Sequence, residues 1–215
     1  GGNNVEFRDC EEVNVYAQDG NDMFDVAYSL ARTLRLYGEN GNDTAYLGGV
    51  TAGSLFFVNG VAFIGGANVD TLVVNDANGG GTPTFSYGLN GEIGNGFSSY
   101  GYVAGNDLVE NVIVNGPAGG GIFNADFLFA GVNYTINGGA GSDSVALGSS
   151  FQNVLVTAQG LLTINAGGGN DTLTFNDQAG SSIFSVGGGA TNFRVGLQGN
   201  TVSYNNSLEN VVINC

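Results

Sequence analysis

The chain has 215 residues, 42% of them apolar, and its 39 glycines come with only 2 prolines and with 14 Phe and 9 Tyr, so it carries the material for a packed core and lacks the composition of a disordered segment. Its net charge is −15, and Arg8, Arg32, Arg35 and Arg194 are its only Lys or Arg cations, which excludes a phosphate-backbone partner; no apolar run approaches the roughly 18 residues that span a bilayer. With no Lys and no His, a histidine base, a Ser-His-Asp triad and a lysine Schiff base are all unavailable.

The N-terminal segment GGNNVEFRDC has a strand-like Val5/Phe7 alternation after a Gly/Asn turn. It opens on Gly1 rather than Met, and we expect a processed, exported product located outside the cell or at its surface. From there one turn recurs along the chain: DGND at 19–22, ENGND at 39–43, a looser GANVD ending at Asp70, GAGSD at 139–143 and GGGND at 167–171. Two and four residues after the last Asp of each copy stand Phe24/Val26, Ala45/Leu47, Leu72/Val74, Val145/Leu147 and Leu173/Phe175. That period of two predicts a turn feeding a short strand with one face in a core. Segment 24–37 also places Ala27, Leu30, Ala31 and Leu34 at helical spacing, so a helix is an alternative there.

A longer duplication overlies the turns. DTLVVNDANGGG at 70–81 matches DTLTFNDQAGSS at 171–182, and VENVIVN at 109–115 matches LENVVIN at 208–214. We therefore expect one domain over 1–215 containing two related units, about 61–115 and 161–215. Short β-branched runs at 154–156, 161–164, 183–186, 193–195 and 202–204 fill the second unit and the segment before it. Strands this short suit a right-handed parallel β-helix, a β-solenoid, whose coils of about 20 to 28 residues would stack into a rod on the order of 40–45 Å long. A β-sandwich with glycine-rich loops is the alternative all-β fold.

GGAGSDSVA at 138–146 and GGGNDTLTF at 167–175 resemble single copies of the RTX nonapeptide, and more closely the Gly-Asn-Asp coils of large bacterial extracellular surface proteins. The resemblance implies a solenoid and calcium shared by Asp22 and Asp43, or by Asp143 and Asp171, stacked on adjacent coils. The copies here are never nine residues apart, so no tandem ligand set is encoded, and the alternative is that each Asp caps its own turn by accepting backbone N–H bonds. No cofactor is required and calcium is the candidate ion. The Asn-X-Ser/Thr sequons at Asn42, Asn133, Asn170 and Asn205 carry little weight in so Asn-rich a chain.

The chain ends LENVVINC in a strand-like run, and a second molecule added after it would continue the strand, glycine turn, strand rhythm. The expectation is a non-enzymatic structural subunit that polymerises head to tail into an extracellular filament or surface assembly. Cys10 and Cys215 would sit near opposite ends of a rod and form an intersubunit disulfide, with an intramolecular bond or free thiols as alternatives. The rivals are a carbohydrate-binding or adhesive module of a larger surface protein, with glycans as partners, and a polysaccharide-degrading β-helix enzyme using paired carboxylates.

Overall fold

The structure is a computed structural model, and it describes residues 10–29, 33–51, 53–55, 58, 60–88, 92–94, 99–102, 109–125, 128–129, 131–147, 162–176, 182–187, 190–195, 198–205 and 207–214. Within them the protein is all-β. Its strands are β1 (Glu12–Tyr16), β2 (Met23–Val26), β3 (Thr33–Asn40), β4 (Thr44–Leu47), β5 (Val61–Ala67), β6 (Thr71–Asn75), β7 (Thr84–Gly88), β8 (Glu92–Gly94), β9 (Ser99–Tyr102) and β10 (Asn111–Asn115). They continue as β11 (Ile122–Ala125), β12 (Asn133–Asn137), β13 (Ser144–Leu147), β14 (Leu162–Asn165), β15 (Thr172–Asn176), β16 (Ser182–Gly187), β17 (Ala190–Val195), β18 (Gln198–Tyr204) and β19 (Asn210–Asn214).

Two sheets hold all of them. One has ten strands in the order β1-β3-β5-β9-β8-β7-β11-β13-β15-β19, the other nine in the order β16-β17-β18-β14-β12-β10-β6-β4-β2. From β1 to β6, and again from β10 to β15, the chain lays one strand in one sheet and the next in the other, so each strand pairs in parallel with the strand two places on. Among the described residues of 24–37 there is no helix: 24–26 lie in β2 and 33–37 in β3. Leu34 and Leu36 are buried on alternate residues of β3, and pairing with β1 and β5 satisfies the backbone that a helix would have satisfied internally.

Two antiparallel meanders interrupt the parallel order, β7-β8-β9 in one sheet and β16-β17-β18 in the other. They lie at matching places in the two related units: β6, meander, β10 in the first, and β15, meander, β19 in the second. The runs expected at 183–186 and 193–195 are thus strands of a meander, while 202–204, in β18, both closes the meander and pairs in parallel with β14. The run expected at 154–156 lies outside the described residues.

The core lies on the inward face of each strand. Ala45, Leu47, Leu72, Val74, Leu147, Leu173 and Phe175 are fully enclosed, Val145 and Val26 nearly so, and Phe24 packs on the core from its margin. The alternating residues named from the turn repeat are therefore core residues, held by the burial of apolar area. Phe85 and Phe123, on paired strands, stack with ring centroids 5.2 Å apart, so the largest side chains also register across the ladder.

Candidate functional site

The turns that precede the strands hold a column of carboxylates. Asp43 accepts the Asp22 amide through Oδ1 at 2.7 Å, Asp70 accepts the Asp43 amide at 2.7 Å, and Glu110 accepts the Asp70 amide through Oε2 at 2.6 Å. A second column repeats this: Asp143 accepts from Gly121 at 2.6 Å, Asp171 from Asp143 at 2.8 Å, and Glu209 from Asp171 at 2.7 Å. Each acid caps the turn of the preceding strand rather than its own. The partners lie 21 to 40 residues apart in sequence, so the bonds fix how one turn sits on the next. Asp76 serves a loop in the same way, accepting the Leu55 amide at 3.0 Å.

The local sequence builds this geometry. Gly41 and Gly167 have positive φ, 143° and 96°, and a Cβ at either would run into the carbonyl of the turn glycine below, Gly20 or Gly139. Five residues before Asp43 and Asp143 stand Gly38 and Gly138, where a Cβ would strike the Oδ2 of that same acid. The carboxylate thus folds back over a bare Cα. Gly65 stands at the same distance before Asp70, whereas Ala166 holds that place before Asp171.

Burial raises the proton affinity of these acids. Asp70, at 0% exposure, and Asp143, at 3%, are pushed up from an ordinary value of 3.8 to about 6, desolvation outweighing the amide hydrogen bond each accepts; Asp43 and Glu110 beside Asp70, and Asp171 beside Asp143, add repulsion. Asp171 is raised for the same reasons, with Glu209 as its charged neighbour. The second oxygen of Asp22, Asp43, Asp70, Asp143 and Asp171 is enclosed and has no hydrogen-bond partner.

The structure therefore places all four expected ligand residues, Asp22 with Asp43 and Asp143 with Asp171, on adjacent turns, and joins each pair by a backbone bond. Among the described residues no group of three or more His, Cys, Asp or Glu side chains is arranged to hold a metal ion. Sequence reasoning passed over Glu110 and Glu209, which end the two columns; both stand in the duplicated VENVIVN and LENVVIN segments, which were the available signal.

Asparagines form further ladders. Asn137 Nδ2 donates to Asn115 at 2.7 Å and Asn165 Nδ2 to Asn137 at 2.8 Å. The sequon residues belong to this network: Asn42 accepts the Val69 amide, Asn133 donates to Asn111, Asn170 accepts from Asn210, and Asn205 accepts the Ala166 amide. Their side chains thus serve the stack. Cys10 is exposed, and Cys215 lies outside the described residues.

No family model matches the chain, and no curated protein matches it.

Proposed function

We propose that the chain is a β-solenoid whose role is structural: a building block that stacks end to end with copies of itself into an extracellular filament or surface assembly. The observation that carries this reading is the disposition of β1 and β19. Among the described residues they are the first and last strands of the same sheet, and the pairings between them make them point the same way. A copy displaced along the stacking direction can therefore set β1 against β19 in parallel, a head-to-tail contact of the kind that propagates when it does not close on itself.

Two further features support it. The columns of Asp and the ladders of Asn run along the stacking direction and give each turn a defined seat on the next. Asp43, Asp70, Asp143 and Asp171 are enclosed and committed to backbone amides, so these carboxylates serve the scaffold rather than a solvent-facing reaction. Sedimentation velocity across a concentration series, with negative-stain microscopy of the same samples, tests the reading. Rods that lengthen with concentration support it; a single monomeric species at every concentration refutes it and favours the adhesive-module alternative.

A further inference from the structure

We infer that the end-to-end contact has one defined register, in which β1 of a second copy pairs in parallel with β19, placing Val13 against Val211, Asn14 against Val212 and Val15 against Ile213. This inference rests on the proposed assembly and specifies its interface. Its basis is the internal copy of the same motif. VENVIVN carries β10, LENVVIN carries β19, and β10 is flanked on both sides, by β6 and by β12. Among the described residues β19 pairs with β15 alone.

The consequence is visible in burial. Val112 and Val114 of β10 are at 0% exposure, whereas their counterparts Val211 and Ile213 are only partly buried against the core. At the opposite end of the sheet Val15 of β1 is likewise partly buried. Each strand keeps the alternation of an interior one, with Val13 of β1 buried at 6% exposure and Val15, Val211 and Ile213 partly open, and among the described residues each has a single neighbouring strand.

The backbone agrees. Asn210 donates its amide to Asp171, so in a parallel ladder residues 211 and 213 turn their amides and carbonyls away from β15, as residue 209 turns its carbonyl. In the internal copy the Glu110 amide donates to Asp70, while its carbonyl points outward and accepts the amide of Asn133, the first residue of β12. In the inferred contact the Glu209 carbonyl faces the amide of Glu12, the first residue of β1.

Charge does not forbid the approach. Glu209 is turned back to the Asp171 amide, and Glu12 to Arg35 and Asn14 of its own chain. Glu11 is exposed, and with a net charge of −15 per chain the association should strengthen with ionic strength. The register sets Cys10 beside Leu208, seven positions before Cys215 in the sequence. This contact therefore needs no bond between the two cysteines.

The test uses the full chain in a Cys10→Ser/Cys215→Ser background. Asn14→Cys and Val212→Cys are made in separate samples, both at outward-facing positions, then mixed and treated with a short thiol cross-linker. A heterodimer forming in preference to mixtures of Val212→Cys with Glu12→Cys or with Tyr16→Cys is the expected result. Oligomers in which all three mixtures cross-link equally, or none does, overturn the register while leaving the assembly intact. Monomers at every concentration and salt, seen by sedimentation, overturn both.

Discussion

The segments at 109–115 and 208–214 are nearly the same sequence in two settings. In the first, strands on both sides enclose Val112 and Val114 completely; in the second, Val211 and Ile213 of β19 keep part of their surface open. Both segments carry a Glu that caps the Asp of the preceding strand, Glu110 on Asp70 and Glu209 on Asp171. The cap is thus a property of the motif, since it reaches back to a strand both copies have. Full burial is a property of the neighbour, which only the first copy has.

The sharpest way to break that comparison is to put a charge at matched inward positions. Val112→Asp should cost about 4 kcal/mol or more and unfold much of the population, because a carboxylate there has neither water nor partner. Val211→Asp should cost about 1 kcal/mol, because the open edge lets water reach it. Chemical denaturation of the two variants reads the difference, and equal losses would mean that β19 is as enclosed as β10.

A second pair probes the columns. Asp143→Ala leaves the buried Gly121 amide without its acceptor and should lose about 2 kcal/mol, whereas Asp143→Asn keeps an acceptor oxygen without a buried charge and should lose about 1 kcal/mol or less at neutral pH. A comparable loss in both, measured by thermal unfolding, would show that the charge rather than the acceptor matters.

A smaller effect is the response to pH. Asp70 and Asp143 bind protons more tightly folded than unfolded, about 6 against 3.8, so the folded state holds more protons across that interval. Their contribution should therefore make the protein more stable as pH falls from 7 toward 4, with the gain complete below about 4 and lost above about 6. Comparing Tm against pH for the wild type and for Asp70→Asn/Asp143→Asn isolates it, and the double variant should show the shallower slope. The smallest expected effect concerns calcium. Adding a chelator and then excess calcium should shift Tm by less than about 1 °C, since no described cluster gathers enough oxygens for a high-affinity site. A rise of several degrees would support the ligand role expected for Asp22, Asp43, Asp143 and Asp171.

Much of this architecture was legible in the sequence, for local reasons. The alternation after each Asp named the core residues from Val26 to Phe175, because a period of two is a local signal that survives whichever strand becomes the neighbour. The stacking of Asp22 on Asp43 and of Asp143 on Asp171 was legible from the repeat. What could not be read was the direction of the capping bond, because an acid that caps its own turn and one that caps the turn below share the same Gly-Asn-Asp sequence. The meanders were hidden for a similar reason: Ile183 to Val186 has the composition of any strand, and antiparallel pairing is set by the partners. Segment 24–37 offered a helix because Leu30 and Leu34 match a helical period, while Leu34 and Leu36 match the strand period that the neighbours select in β3.

Backbone amide exchange tests the central claim most directly, comparing Val211 and Ile213 with Val112 and Val114. The account predicts that in dilute monomer the two β19 amides, which point away from β15, exchange orders of magnitude faster than the β10 pair, and that they become protected when the protein is concentrated into rods. Equal protection of both pairs in the monomer, or β19 amides that stay open in the assembled state, would contradict it.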